Sequence, residues 1–329
     1  MTNKRTFKPS RRLSTARAAS GDHYRTSRTV AKRTDLFVAD DGDYDDIEET
    51  TTEIRYASGR ASGPITWLIT EAHGAPLDAH ALALFAALTE LYLDEKTKRI
   101  RMKSGEVRIV VDTTARKLVE MIYGHGHHAT KEYAALGLLK EQLTAGGLQR
   151  LFGVAIRKGS SWIHPRTGRR METMEAFRLV DWVRRKTIGA VDHLQIALGS
   201  PIQEELINGG VVRLPIAVVQ ALGPKRATAL RLATHVLGQE VMDSGAREIG
   251  LAALAAIIQP SASRDPVRYP GRYRGYVAHI VEQIQAVDPD RKWSVEPAKT
   301  DPLGKVVCRD KNGRADEHHS ENTANPTRA

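Results

Sequence analysis

Apolar residues recur at helical spacing through the middle of the chain and thin out toward both ends. Asp78 can cap a predicted helix whose stripe is Leu82, Phe85, Leu88 and Tyr92. Two strand-like runs follow, RIRMK and VRIVV, hinged at Ser104-Gly105. Thr114 caps a second helix that buries Ala115, Leu118, Val119 and Ile122 and stops at Gly124. Past the turn His125-Gly126-His127-His128, a third helix is expected from Thr130. It turns Tyr133, Leu136, Leu139 and Leu143 inward and ends at Gly146-Gly147. LQRLFGVAIR and EAFRLVDWV then read as strands around a basic loop.

A second run of elements spans Leu194 to Gln239, LQIALGSPIQEELINGGVVRLPIAVVQALGPKRATALRLATHVLGQ. It predicts a strand, a short helix, a glycine pair, another strand, and an amphipathic helix opening at Pro224. Ala227, Leu230, Thr234 and Leu237 share one face of that helix. LAALAAIIQ is a short helix ending before Pro260. After the turn PSASRDPVRYP comes a helix on which Tyr273, Val277, Ile280, Ile284 and Val287 form a core-facing stripe. Lys292 and Trp293 begin a small wing.

Helix, hairpin, helix, turn, helix and basic hairpin is the order of a winged helix, and the second run repeats the plan. The expected fold is α+β and mainly helical: two tandem winged-helix (helix-turn-helix plus β-hairpin) domains with disordered termini. The expected division is a disordered arm over residues 1–55, one unit over 56–186, a second over 187–297, and a disordered tail over 298–329. The arm is basic up to residue 34, then acidic from Asp40 to Glu49, with no apolar periodicity. A possible connector lies at Arg184-Gly189.

Charge narrows the function. Among 329 residues, 49 Lys and Arg against 39 Asp and Glu leave a formal +10, which suits a polyanionic partner. The single cysteine, Cys308, excludes an intramolecular disulfide framework and a cysteine-rich zinc site. No apolar run approaches the ~18 residues of a membrane span. The basic start of the chain has no secretory apolar core, so the cytoplasm of a bacterium is expected rather than an organelle.

In a helix-turn-helix the second helix enters the major groove by its N-terminal side chains. In the second unit this places Arg264, Arg268, Arg272 and Arg274 near DNA, four arginines within eleven residues, with Lys292 on the wing. Arginine can grip guanine or phosphate with its fork. In the first unit the equivalent helix offers His128, Thr130 and Lys131, and the basic loop Arg157, Lys158, Arg166, Arg169 and Arg170. Glu132 and Glu141 weaken that helix as a phosphate partner, so the second unit is expected to read sequence more strongly.

Enzymatic readings find little footing. His125, His127 and His128 flank a glycine in a turn, whereas rolling-circle nickases set two histidines about a hydrophobic residue on a strand. No phosphate-binding glycine loop is present, since Gly223-Pro224-Lys225 lacks the leading glycine and the following hydroxyl residue. No catalytic residue, metal or cofactor is expected.

The chain resembles plasmid replication initiators with tandem winged helices, nearest in layout to the iteron-binding replication proteins of IncQ-type plasmids. The resemblance runs over about Ile54 to Val295. It is strongest in LQIALGSPIQEELINGGVVRLPIAVVQAL with KRATALRLATHVLG, and in the basic helix RYRGYVAHIVEQI. It implies binding to direct repeats of double-stranded DNA at an origin, local opening of DNA, and recruitment of a host replication initiator and the replicative helicase. It also raises a homodimer paired through the first winged helix. A tandem winged-helix transcriptional regulator without a replication role fits the same residues, and a sequence-indifferent architectural protein would rely on the tails.

Overall fold

The computed structural model describes residues 23–32, 54–56, 65–72, 77–94, 97–124, 129–139, 146–163, 169–188, 191–223, 226–242, 244–258 and 260–311, with Phe37 and Thr167. It is an α+β protein whose sheets are all antiparallel. Helix and strand share it almost evenly, where a mainly helical chain was expected.

At the centre lies α2 (Ala79–Leu93), which touches elements from both halves. Asp78 caps it, accepting the Ala81 N–H at 2.8 Å. Its apolar residues lie on every side, so all of it but His80 is buried, more than the single predicted stripe. Around it pack β1 (His23–Ser27), β5 (Val107–Thr114), α3 (Ala115–Tyr123), α5 (Gly147–Gly153) and α8 (Ala227–Gly238).

The strand β1 comes from the arm expected to be disordered. It pairs with β10 (Val211–Pro215), Arg25 opposite Arg213. Thr26 and Ser27 are buried although polar, a burial no apolar alternation signals. The Arg25 guanidinium, 4% exposed, meets Glu90 of α2 at 2.7 Å and Asp94 at 2.6 Å. Burial opposes its charge, but the two carboxylates outweigh that, and its pKa stands above the ordinary arginine value. The Tyr24 hydroxyl donates to the Met121 carbonyl at 2.6 Å. Ser27 donates to Glu205 and caps α1 (Arg28–Ala31), which lies on α8. A Cβ at Gly238 would stand 3.0 Å from Ala31, so that close approach favours glycine.

Two four-stranded sheets flank the first half. One has the order β2-β3-β6-β7, with β2 (Ile54–Tyr56), β3 (Ile65–Ala72), β6 (Val154–Ile163) and β7 (Arg170–Arg178). The other is β4-β5-β9-β8, with β4 (Thr97–Arg101), β8 (Val180–Ile188) and β9 (Val191–Leu198). The boundary expected at residue 186 falls inside β8, which pairs with β9 across that line, as do residues 184–188 of the expected connector; Gly189 lies outside the described residues. The third helix is shorter than its leucine spacing suggests. α4 (Thr130–Ala135) stops before Gly137, whose φ of 70° breaks the helix. Leu148 to Gly153, expected as strand, belongs to α5.

The second half follows β9 with α6 (Ser200–Ile207), the glycine turn, and β10, as the pattern predicts. An unforeseen helix, α7 (Ile216–Leu222), precedes α8. Then come β11 (Ala246–Gly250), α9 (Leu251–Ile258), a 3-10 turn (Ala262–Arg264), α10 (Pro270–Gln285), β12 (Arg291–Glu296) and β13 (Lys305–Asp310). The sheet order is β11-β13-β12, with the last strand in the middle. Over residues 298–311 this corrects the expected disordered tail: β13 has Val306, Val307 and Cys308 buried, and the rest of that tail lies outside the described residues. One hydrophobic core runs from Tyr24 to Cys308. Among the described residues no helix is long and apolar enough to cross a membrane.

Replacing Arg25 with Ala leaves Glu90 buried without its main cation, at a cost of about 3–5 kcal/mol. The urea midpoint of Arg25→Ala should fall accordingly, and Arg25→Met with Glu90→Leu should recover most of the loss. A midpoint within about 1 kcal/mol of the parent for Arg25→Ala would mean that β1 is not structural. Burial pushes the Cys308 thiol up to about 12. A thiol reagent should therefore spare Cys308 in the native protein and modify it fully in denaturant.

Candidate nucleic-acid interface

α10 begins with Pro270, whose fixed φ suits the first helical position and whose missing N–H costs nothing there. Tyr273, Val277, Ile280, Val281 and Ile284 form its buried face. The Tyr273 hydroxyl donates to the Leu251 carbonyl at 2.7 Å, fastening the start of α10 to α9. At the other end, the Trp293 ring N–H donates to Asp288 at 2.9 Å, and its backbone N–H to the Gln285 side-chain oxygen at 2.8 Å. Trp293 is thus a buried anchor, and its neighbour Lys292 points outward.

The exposed face of the first turns of α10 is basic. Arg272 and Arg274 are exposed, and around Gly271 and Gly275 the space is open. Arg264 and Arg268, in the turn before the helix, are exposed as well. The Arg264 guanidinium lies 4.2 Å from the Tyr276 ring centroid, and that of Arg272 5.1 Å from the Tyr269 ring. Such stacking orients a guanidinium and leaves its charge in place. Asp265 fixes the turn, accepting the Val267 N–H at 2.9 Å and the Arg268 N–H at 2.7 Å.

Carboxylates are distributed unevenly over these basic groups. Arg247 pairs with Asp310 at 3.4 Å, Arg291 with Asp288 at 3.3 Å and Asp310 at 2.9 Å. Lys305 meets Glu248 and Arg309 meets Glu296, each at 2.5 Å. Among the described residues, none of Arg264, Arg268, Arg272, Arg274 or Lys292 has an ion-pair partner. The structure therefore brings the four predicted arginines of the second unit onto one helix start and its leading turn.

The candidates of the first unit are spread over separate elements. Thr130 and Lys131 are exposed on α4, beside Glu132. Arg157 and Lys158 lie in β6, and Arg170 opens β7; these are strand positions, where a loop was expected. Arg169 is exposed, its N–H directed at the Thr167 hydroxyl at 3.4 Å. His128 and Arg166 lie outside the described residues, as do His125 and His127.

Several residues of this surface escaped the sequence reading. Tyr269 stands three residues before Arg272, a spacing visible in the sequence, whereas the Arg264–Tyr276 stack depends on how the turn folds back. Lys299, exposed between β12 and β13, falls in the tail expected to be disordered.

A scan against family models gives no match, and neither does a comparison with curated proteins. Among solved structures, the chain is similar to a crystal structure of selenomethionine derivatives of domains 2 and 3 of RctB. The TM-score is 0.52 at 8% identity, covering 86% of this chain and 97% of that one. A second crystal structure, of RctB residues 155–483, gives a TM-score of 0.48 at 9% identity over 84% of this chain and 96% of that one. The first likeness places the chain in the same α+β fold as those domains.

Arg272→Ala and Arg274→Ala remove exposed, unpaired groups and should shift the unfolding free energy by no more than about 0.5 kcal/mol each. Arg291→Ala strips the cation from buried Asp288 and should cost about 3–5 kcal/mol by the same denaturation measurement. Equal effects would erase the distinction between structural and surface arginines.

Proposed function

We propose that this chain is a sequence-specific double-stranded DNA-binding protein that binds repeats at a plasmid origin and initiates replication there. The observation that carries the reading is the arginine face of α10, unpaired among the described residues and held on a rigid helix. We read the order α8, β11, α9, α10, β12, β13, with β13 in the middle of its sheet, as a winged helix whose recognition helix is α10. The fold shared with domains 2 and 3 of RctB, a replication initiator, supports the replication role.

In this reading Arg268, Arg272 and Arg274 meet base edges and phosphates at the helix start, while Lys292 holds the backbone beside it. Thr130, Lys131 and the basic residues of the β6–β7 hairpin supply backbone contacts from the first unit. Opening DNA costs a few kcal/mol per unstacked step. Without a nucleotide-binding loop, that energy comes from many bound protomers, and the opened strand is handed to the host initiator and helicase. The protein acts by binding and not as an enzyme.

The test is capture of fragments of its own replicon, with competitor DNA, at two salt concentrations. Selective, salt-tolerant retention of a fragment with direct repeats beside an AT-rich stretch is expected. Arg272→Ala with Arg274→Ala should weaken that retention by about a hundredfold, since a bidentate arginine–base contact is worth ~1–3 kcal/mol. Thr130→Ala with Lys131→Ala should cost about tenfold or less and lower the salt dependence by about one unit. Uniform capture that vanishes at higher salt would leave a mere backbone binder; selective binding at a promoter without origin opening would favour a transcriptional regulator.

A further inference from the structure

A valine stands in the turn that leads into the arginine face. Val267 is 87% exposed, between Arg264 and Arg268, with Tyr269 beside it at 43%. A stray surface valine ordinarily calls for no explanation. This one differs because its backbone is held: Asp265 accepts its N–H at 2.9 Å and that of Arg268 at 2.7 Å, and the Tyr269 N–H closes on the Asp265 carbonyl at 2.8 Å. Pro266 and Pro270 stiffen the turn from either side. An apolar side chain is thus presented outward by a fixed turn among cations that no carboxylate neutralises among the described residues.

Resting on the DNA reading above, we propose that Val267 is a specificity-determining residue that reads the 5-methyl group of a thymine in the major groove. That methyl is the apolar group the major groove offers, and apolar side chains recognise it by contact. Valine suits the task because its branched Cβ leaves little rotamer freedom to lose. The arginines on either side bind phosphate or guanine, so they bring the duplex to the valine and cannot read the methyl themselves. The proposed site therefore combines a charged frame with one apolar contact in its leading turn.

The experiment starts from DNA that the full-length protein selects from a random pool. Each thymine of the selected site is then replaced by uracil, which keeps every hydrogen-bonding group and lacks the methyl. The parent protein should lose about three- to tenfold in affinity at one or two of these positions. Val267→Ser should bind the thymine site more weakly by a similar factor and be indifferent to uracil at those same positions. Val267→Thr, which keeps one methyl and the branch, should fall between the two. Because the side chain is exposed, both variants should unfold at the parent's urea midpoint. If Val267→Ser still responds to uracil as the parent does, or if the parent responds at no thymine, the methyl contact is overturned while the DNA reading stands. If the parent selects no sequence at all, the DNA reading itself fails, and this inference with it.

Discussion

Glu90 is the constraint around which the rest is arranged. It sits on a helix that is buried on every side, so its carboxylate has no route to water and must find a cation inside the protein. The cation is Arg25, brought from 65 residues earlier in the chain. To deliver it, β1 lies along α2 and pairs with β10 on its other edge. The pair thus ties the start of the chain, the central helix and the second half into one core. Its worth lies in register more than in net stability, because desolvation offsets much of the attraction of a buried ion pair. A slip of β1 by one residue would turn Arg25 to the opposite face and leave both it and Glu90 without compensation.

The same desolvation argument sorts the chain's basic residues. Arginines in or near the core hold carboxylates: Arg25 with Glu90, Arg185 with Asp192, Arg247 with Asp310, Arg291 with Asp288. On α10 and its leading turn water solvates the guanidinium groups, and tyrosine rings orient two of them. The formal +10 of the chain is therefore not spread evenly. It is cancelled where packing demands and left standing on exposed surfaces, among them α10 with its leading turn and the β4–β5 hairpin with Arg99, Arg101 and Lys103.

That division was partly legible in the sequence. The stripe on α10 could be read because a helix with one buried face repeats its apolar positions at helical spacing. α2 was visible as a helix, but one stripe understated it, since a helix enclosed on all sides has no polar face to mark the other half. The run Leu136, Leu139, Leu143 suggested a longer helix than α4, because the spacing carries across Gly137 while the backbone does not. β1 was hidden for a different reason: HYRTS is polar, and it is buried by an ion pair, a tyrosine hydrogen bond and a serine–glutamate contact. β13 was lost in the polar composition around it. At the candidate site, the arginines were legible, whereas Val267 was not, since nothing in PVRYP says which way a valine in a turn will face.

Under the DNA reading, the geometry of α10 also bears on why repeats would be needed. Its first two turns, which carry Arg272 and Arg274, span ~11 Å, and at 3.4 Å per base step they reach about three base pairs. Rigid fixation at Tyr273 and Trp293 means that little flexibility is lost when the helix docks, so those few contacts retain most of their strength. Even so, three positions at ~1–3 kcal/mol of discrimination each give roughly 10²- to 10⁷-fold, short of the ~10⁹ competing sites that a large genome offers. The remaining selectivity has to come from additional contacts made by the same protomer or from several protomers on adjacent sites. A core shared by both halves of the chain favours the first route, because it holds any contact from the β6–β7 hairpin side in a fixed relation to α10. Direct repeats supply the second, each copy adding its own short element to the total.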